Sequence, residues 1–117
     1  MIEPNMATML AFLMTDAKLS GASLRPMLKR VVDRTFNAMS IDTDTSTSDT
    51  VVLMANGLAG PVNQRQFEAG LLKVSEQLTR ELARSGEGAT KLITVDVTGA
   101  KNTEQGKRVA KSVVNSP

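Results

Sequence analysis

The stretch ATMLAFLMT, Ala7 to Thr15, decides how the chain is read. It is apolar apart from its two threonines, too short for a typical helix, rich in strand-compatible residues, and bounded by Pro4-Asn5 and by Asp16. Those features predict a buried β-strand. Downstream, Ser20-Gly21 is a turn signal, and Leu24, Leu28, Val31, Val32, Thr35, Phe36 and Met39 then recur at helical spacing. An amphipathic helix is expected from about Ser23 to Met39, with Pro26 in its first turn, where a missing amide donor is tolerated. A second apolar strand, Val51 to Ala55, ends at Asn56-Gly57. Asn63 is an N-cap with Gln66 three residues on, and Phe67, Leu71, Val74, Leu78 and Leu82 mark a long helix that stops at Ser85-Gly86. Leu92 to Val97 reads as a third strand, and Thr103 to Val114 as a third helix weakened by Gly106.

Strand and helix therefore alternate three times, which is the pattern of an α/β layer arrangement. A chain of 117 residues fits one compact unit, with no internal repeat or linker to divide it. Apolar residues make up 41% and charged residues 22%, the balance of a folding domain rather than a disordered one. Aromatics are three Phe with no Trp or Tyr, so Leu, Val, Ile and the seven Met must fill the core.

Charge and composition exclude several functions. Lys and Arg outnumber Asp and Glu by 14 to 12 and are interleaved with them, which is no footprint for a phosphate backbone, so nucleic acid is not an expected partner. With no Cys and no His, the chain has no disulfide, no thiol nucleophile and none of the usual transition-metal ligands. The longest apolar stretch, Met6 to Met14, is far short of a membrane span and lacks the lead-in of a secretory signal. A cytoplasmic protein without a membrane partner is expected. Gly86 to Lys91, GEGATK, has two glycines, a Thr and a Lys, but not the order or the strand-to-helix setting of a phosphate loop.

Three blocks carry a family resemblance. Met1 to Leu10, MIEPNMATML, resembles the self-cleavage site of the bifunctional glutamate N-acetyltransferase, or ornithine acetyltransferase, family. Asp42 to Gly57, DTDTSTSDTVVLMANG, is similar to that family's Thr/Ser/Asp-rich segment and the strand after it, and GEGATK to its acidic glycine turn. The resemblance implies a segment of the layered α/β sandwich of the self-cleaving ornithine acetyltransferase type. In it Met1 to Ala7 would end the family's first subunit, and residues 8–117 would begin its second.

The resemblance also implies the chemistry. The chain would break between Ala7 and Thr8, and Thr8 would be the catalytic nucleophile and a substrate-binding residue. A hydroxyl is a poor nucleophile at neutral pH without an adjacent base, and a Thr at a chain's N-terminus carries one, because an α-amine titrates near neutrality. The family moves an acetyl group from N-acetylornithine to glutamate in arginine biosynthesis. It needs no metal or organic cofactor, with acetyl-CoA an alternative acetyl donor. Glu87 would bind the substrate's ammonium group, a natural pairing for a carboxylate.

Taken singly, Thr8 in an apolar run reads as a β-branched strand residue, and Glu87 as a solvated carboxylate in a glycine turn. Asp42, Asp44, Thr45, Thr47 and Asp49 read singly as a polar loop, and as a block as residues that position the nucleophile's strand or shape the entrance. The family's substrate-binding lysine, its Thr-Gly oxyanion donors and its C-terminal Asn and Ser contacts have no counterpart in the 117 residues. Both ends are accordingly expected to continue in a larger protein, with the missing segments as partners, and the isolated chain to be poorly active. Removing even one oxyanion donor costs about a hundredfold to a thousandfold in rate. An oligomer is expected as well. Two other readings stay open: a non-catalytic remnant or interaction module, and a related self-cleaving amidase or aminopeptidase.

Overall fold

The computed structural model describes residues 9–41, 48–86 and 88–116. Strand β1 is Leu10–Lys18, helix α1 is Gly21–Arg34 with a 3-10 turn at Phe36–Ala38, strand β2 is Thr50–Pro61, and helices α2 and α3 are Gln64–Arg84 and Thr103–Val114. β1 and β2 pair in parallel, Leu10 opposite Thr50 through Thr15 opposite Ala55. This is an α/β fold, as the alternation of elements predicts.

β1 ends later than the apolar run because its pairing continues past Asp16, to Ala17 opposite Gly60 and Lys18 opposite Pro61. The register shifts between Thr15 and Ala17. Asn56-Gly57 does turn the chain, with the Leu58 amide donating to Asn56 Oδ1 at 3.0 Å and Gly57 at φ +82°, but the turn bulges β2 instead of ending it. β1 is buried on one face only. Ala11, Leu13 and Ala17 face the helices, while Leu10, Phe12 and Met14 on the other face are 58%, 57% and 76% exposed. A parallel sheet ordinarily has both faces covered. Among the described residues one of these is bare.

α1 starts two residues before the expected Ser23. Ser20 is not part of a turn but the N-cap, its hydroxyl accepting from the Ser23 amide at 3.2 Å. Pro26 consequently lies in the second turn rather than the first, and the carbonyl of exposed Ala22, which it cannot serve, faces solvent. The helix closes at Thr35, whose buried hydroxyl donates to the Val31 carbonyl at 2.8 Å. α2 begins as its capping residues predict, the Gln66 amide donating to Asn63 Oδ1 at 3.0 Å. Asn63→Ala should lower stability by about 1 kcal/mol in a denaturant titration.

The core is Leu13, Met27, Val31 and Leu71, with Leu28, Val51, Leu53, Phe67 and Leu72 packed around it. α2 meets α1 along Leu71 and Ser75, so Val74, 50% exposed, lies off the contact face expected for it. Ser75, one turn on from Leu71, is fully buried. Arg30 on α1 clamps Glu68 on α2, donating from Nε and Nη2 to the two carboxylate oxygens at 2.7 and 2.8 Å. That hydrogen bond holds the Glu68 carboxyl below the usual carboxylate range, against a weaker desolvation effect and with help from the charges of Arg30 and Arg34. A lowered carboxyl pKa stabilises the fold above the ordinary carboxylate range, and the contribution is lost as pH falls through the folded value. The denaturation midpoints of the parent and Glu68→Gln should therefore differ most at neutral pH and low salt and converge on acidification. A gap that persists in acid would overturn that origin.

Leu92 to Val97 forms no ladder among the described residues, so the third strand is not present as one. Val95 and Val97 are half-buried with exposed Asp96 between them, so the segment keeps the alternation of a strand without a neighbouring edge to pair with. α3 spans the residues its periodicity predicts but buries none fully. It is tied down by Lys107 Nζ on the Asp33 carbonyl at 2.9 Å and Lys111 Nζ on the Met39 carbonyl at 3.1 Å. The two lysines, four residues apart on one face, place their charge on carbonyls at and just beyond the end of α1, where cations are favoured.

Candidate site at the start of the first strand

Ala7 and Thr8, the expected cleavage site and nucleophile, lie outside the described residues, as do Glu87 and the Asp42, Asp44, Thr45 and Thr47 of the polar block. The description begins at Met9, the residue bonded to Thr8, and there the backbone is held on both sides. The Met9 amide donates to Asp49 Oδ1 at 2.9 Å, and the Met9 carbonyl accepts from the Thr50 amide at 2.9 Å. Asp49 of the polar block thus contacts the start of the strand that follows Thr8. A single sequence carries no sign of a bond between residues 40 apart. The available signal was an acceptor side chain just before an apolar strand that could pair in parallel with the first.

Met9 and Asp49 border a cleft of about 640 Å³ between α1 and β2, whose walls include Leu24, Leu28, Val32 and Val51. The acidic glycine turn borders a different cleft. Gly86 and Gly88 line a space of about 650 Å³ together with Arg80, Lys91 and Lys111. The turn closes by the Ala89 amide donating to the Gly86 carbonyl at 2.9 Å, and Gly88 adopts φ +72°, a conformation that a side chain would strain. At Gly86 the space is tight: a Cβ there would lie 3.1 Å from Ile41 Cγ2. The residues next to Thr8 and to Glu87 are therefore each held by hydrogen bonds, and the two clefts they border share Met39 in their walls. Lys107 and Lys111, which tie α3 to α1, went unremarked in the sequence; their spacing on one helical face was the signal for them.

No helix among the described residues is long and apolar enough to cross a membrane. Comparison with known proteins places the chain. The ArgJ family model matches residues 1–117. The chain is 58% identical over 117 residues to the glutamate N-acetyltransferase Oat2 of Streptomyces clavuligerus, and 56% identical over 117 residues to the arginine biosynthesis bifunctional protein ArgJ 2 of a Nostoc species. In both cases all of this chain is covered, and it spans 30% of the relative's length. The crystal structure of the arginine biosynthesis bifunctional protein ArgJ from Bacillus halodurans superposes with a TM-score of 0.88 at 43% identity, over 93% of this chain and 55% of that one. With the fold, the order of its motifs and the match over the whole of its length in agreement, the chain belongs to the ArgJ family.

Proposed function

We propose that these residues form the part of an acetyltransferase that carries its self-cleavage site and its nucleophile, with Met1 to Ala7 closing one subunit and residues 8–117 opening the next. The observation that carries this reading is the match of the whole chain, at 58% identity over 117 residues, to a relative named as a glutamate N-acetyltransferase. In the uncut chain Thr8 Oγ attacks the Ala7 carbonyl carbon. The Ala7–Thr8 amide breaks, the nitrogen takes up a proton, and an ester joins Ala7 to Thr8 Oγ. Water hydrolyses that ester, leaving a carboxylate on Ala7 and a free α-amine on Thr8, which titrates near neutrality and acts as the base for its own hydroxyl.

In the exchange reaction the same oxygen takes the acetyl group of N-acetylornithine, and ornithine leaves as the protonated amine. The amine of glutamate then attacks the acetyl ester, releasing N-acetylglutamate and restoring the hydroxyl. Glu87 supplies the carboxylate for the ammonium of the ornithine side. The oxyanion donors and the substrate lysine come from other segments of the assembled, oligomeric enzyme, which works in the cytoplasm.

The bare face of β1, with Leu10, Phe12 and Met14 exposed, also suits an interaction module that has kept the fold and lost the chemistry. An acetyl-exchange assay separates the readings. The chain is supplied with the remaining segments of an ArgJ relative and given N-acetylornithine and glutamate. Formation of N-acetylglutamate supports the transferase, release of free acetate supports a hydrolase with the same nucleophile, and assembly without either product supports the module.

A further inference from the structure

The paired register begins with Leu10 opposite Thr50, and the residues just before them, Met9 and Asp49, are hydrogen-bonded to one another. In a regular parallel ladder the Met9 carbonyl would accept from the Thr50 amide, as it does at 2.9 Å, and the Met9 amide would donate to the carbonyl of Ser48. It donates instead to Asp49 Oδ1 at 2.9 Å. The Ser48 carbonyl accepts the Thr50 hydroxyl at 3.2 Å. A carboxylate has thus taken the place of a backbone carbonyl at the first described step of the pairing.

We propose that Asp49 is a positioning residue for the nucleophile, acting through the Met9 amide. The inference rests on the reading of Thr8 as nucleophile and adds to it the group that aims it. The Met9 nitrogen belongs to the Thr8–Met9 peptide, and a peptide is planar, so fixing that nitrogen also fixes the plane holding the carbonyl carbon and Cα of Thr8. The Thr50 bond fixes the other side of Met9. Thr8 then keeps only its own backbone rotations and χ1 with which to bring Oγ onto the Ala7 carbonyl. A carboxylate accepts from an amide more strongly than a neutral carbonyl does.

The test has two arms. In a Thr8→Ala chain, which cannot cut itself, Asp49→Ala should speed hydrogen exchange at the Met9 amide by about tenfold or more, whereas Asp49→Asn, which keeps an oxygen acceptor, should preserve most of the protection. In the chain with Thr8, Asp49→Ala should slow loss of Met1 to Ala7 by about tenfold to a hundredfold, as expected when a reacting group is misplaced, and Asp49→Asn should stay within about threefold of the parent. Protection of the Leu13 amide reports that each variant is folded. Unchanged Met9 exchange in Asp49→Ala, unchanged scission, or an Asp49→Asn chain as slow as Asp49→Ala would each overturn the proposal. Failure of the nucleophile reading has its own signature, a parent that keeps its full mass even when supplied with the remaining segments of an ArgJ relative or a Thr8→Ala chain that is still cut, and the inference falls with it.

Discussion

Thr8→Ala should leave the chain at its full mass under conditions in which the parent loses Met1 to Ala7. The reason is the bookkeeping of bonds. Scission between Ala7 and Thr8 begins with an oxygen attacking the neighbouring carbonyl, and alanine has none to offer. Removing a nucleophile of this kind lowers the rate by about a thousandfold or more. Thr8→Ser keeps the hydroxyl and should still be cut, at a changed rate because the methyl that restricts χ1 is gone. Intact mass spectrometry over a time course reads all three chains directly. If Thr8→Ala loses the same seven residues as the parent, the bond is being cut by something else and the assignment of Thr8 fails. A parent that stays whole would count against an autonomous self-cleaving unit and favour the interaction module.

The second large effect concerns stability. Met27 is 1% exposed and packs with Leu13, Val31 and Leu71 where β1, α1 and α2 meet. Met27→Ala should cost about 2–5 kcal/mol, the transfer energy of the lost side chain plus the cavity it leaves. Domains of this size are commonly stable by only about 5–15 kcal/mol, so this one change removes a large part of the margin. Met14, 76% exposed on the bare face of β1, is the natural control, and Met14→Ala should shift stability by no more than about 0.5 kcal/mol. Urea titrations with matched slopes decide the comparison. Equal losses at the two methionines would mean that the core lies elsewhere.

The two methionines also mark where reading the sequence stops. Both are methionines expected to fill the core; the run from Ala7 to Thr15 looks buried on both sides because both sides are apolar. The shape of the molecule agrees with the exposure. Its radius of gyration is 16.0 Å, against about 13 Å for a compact domain of roughly 100 residues, and its extents of 47 × 38 × 24 Å describe a slab. Local signals fared well where the determinant was local. Asn63 and Gln66 start α2 because a side-chain oxygen reaches an amide three residues away. α3 spans Thr103 to Val114 because its apolar period is helical. Leu92 to Val97 failed as a strand for the opposite reason, since alternation is a property of the segment and a ladder needs a partner.

The family resemblance put Thr8 at a cleavage site from ten consecutive residues, and the match to the ArgJ family over residues 1–117 bears out the family. The role of Thr8 rests with the mass measurements. The sequence by itself determined the presence of the helices, the Asn63 cap of α2 and the alternation of an α/β fold, because each follows from interactions within a few residues. Only the tertiary structure decided that β2 pairs in parallel with β1 at the register that lets Asp49 and Met9 hydrogen-bond, and which face of β1 is covered. Register and cover depend on contacts between residues some forty apart, and no local preference encodes which of several apolar faces will meet.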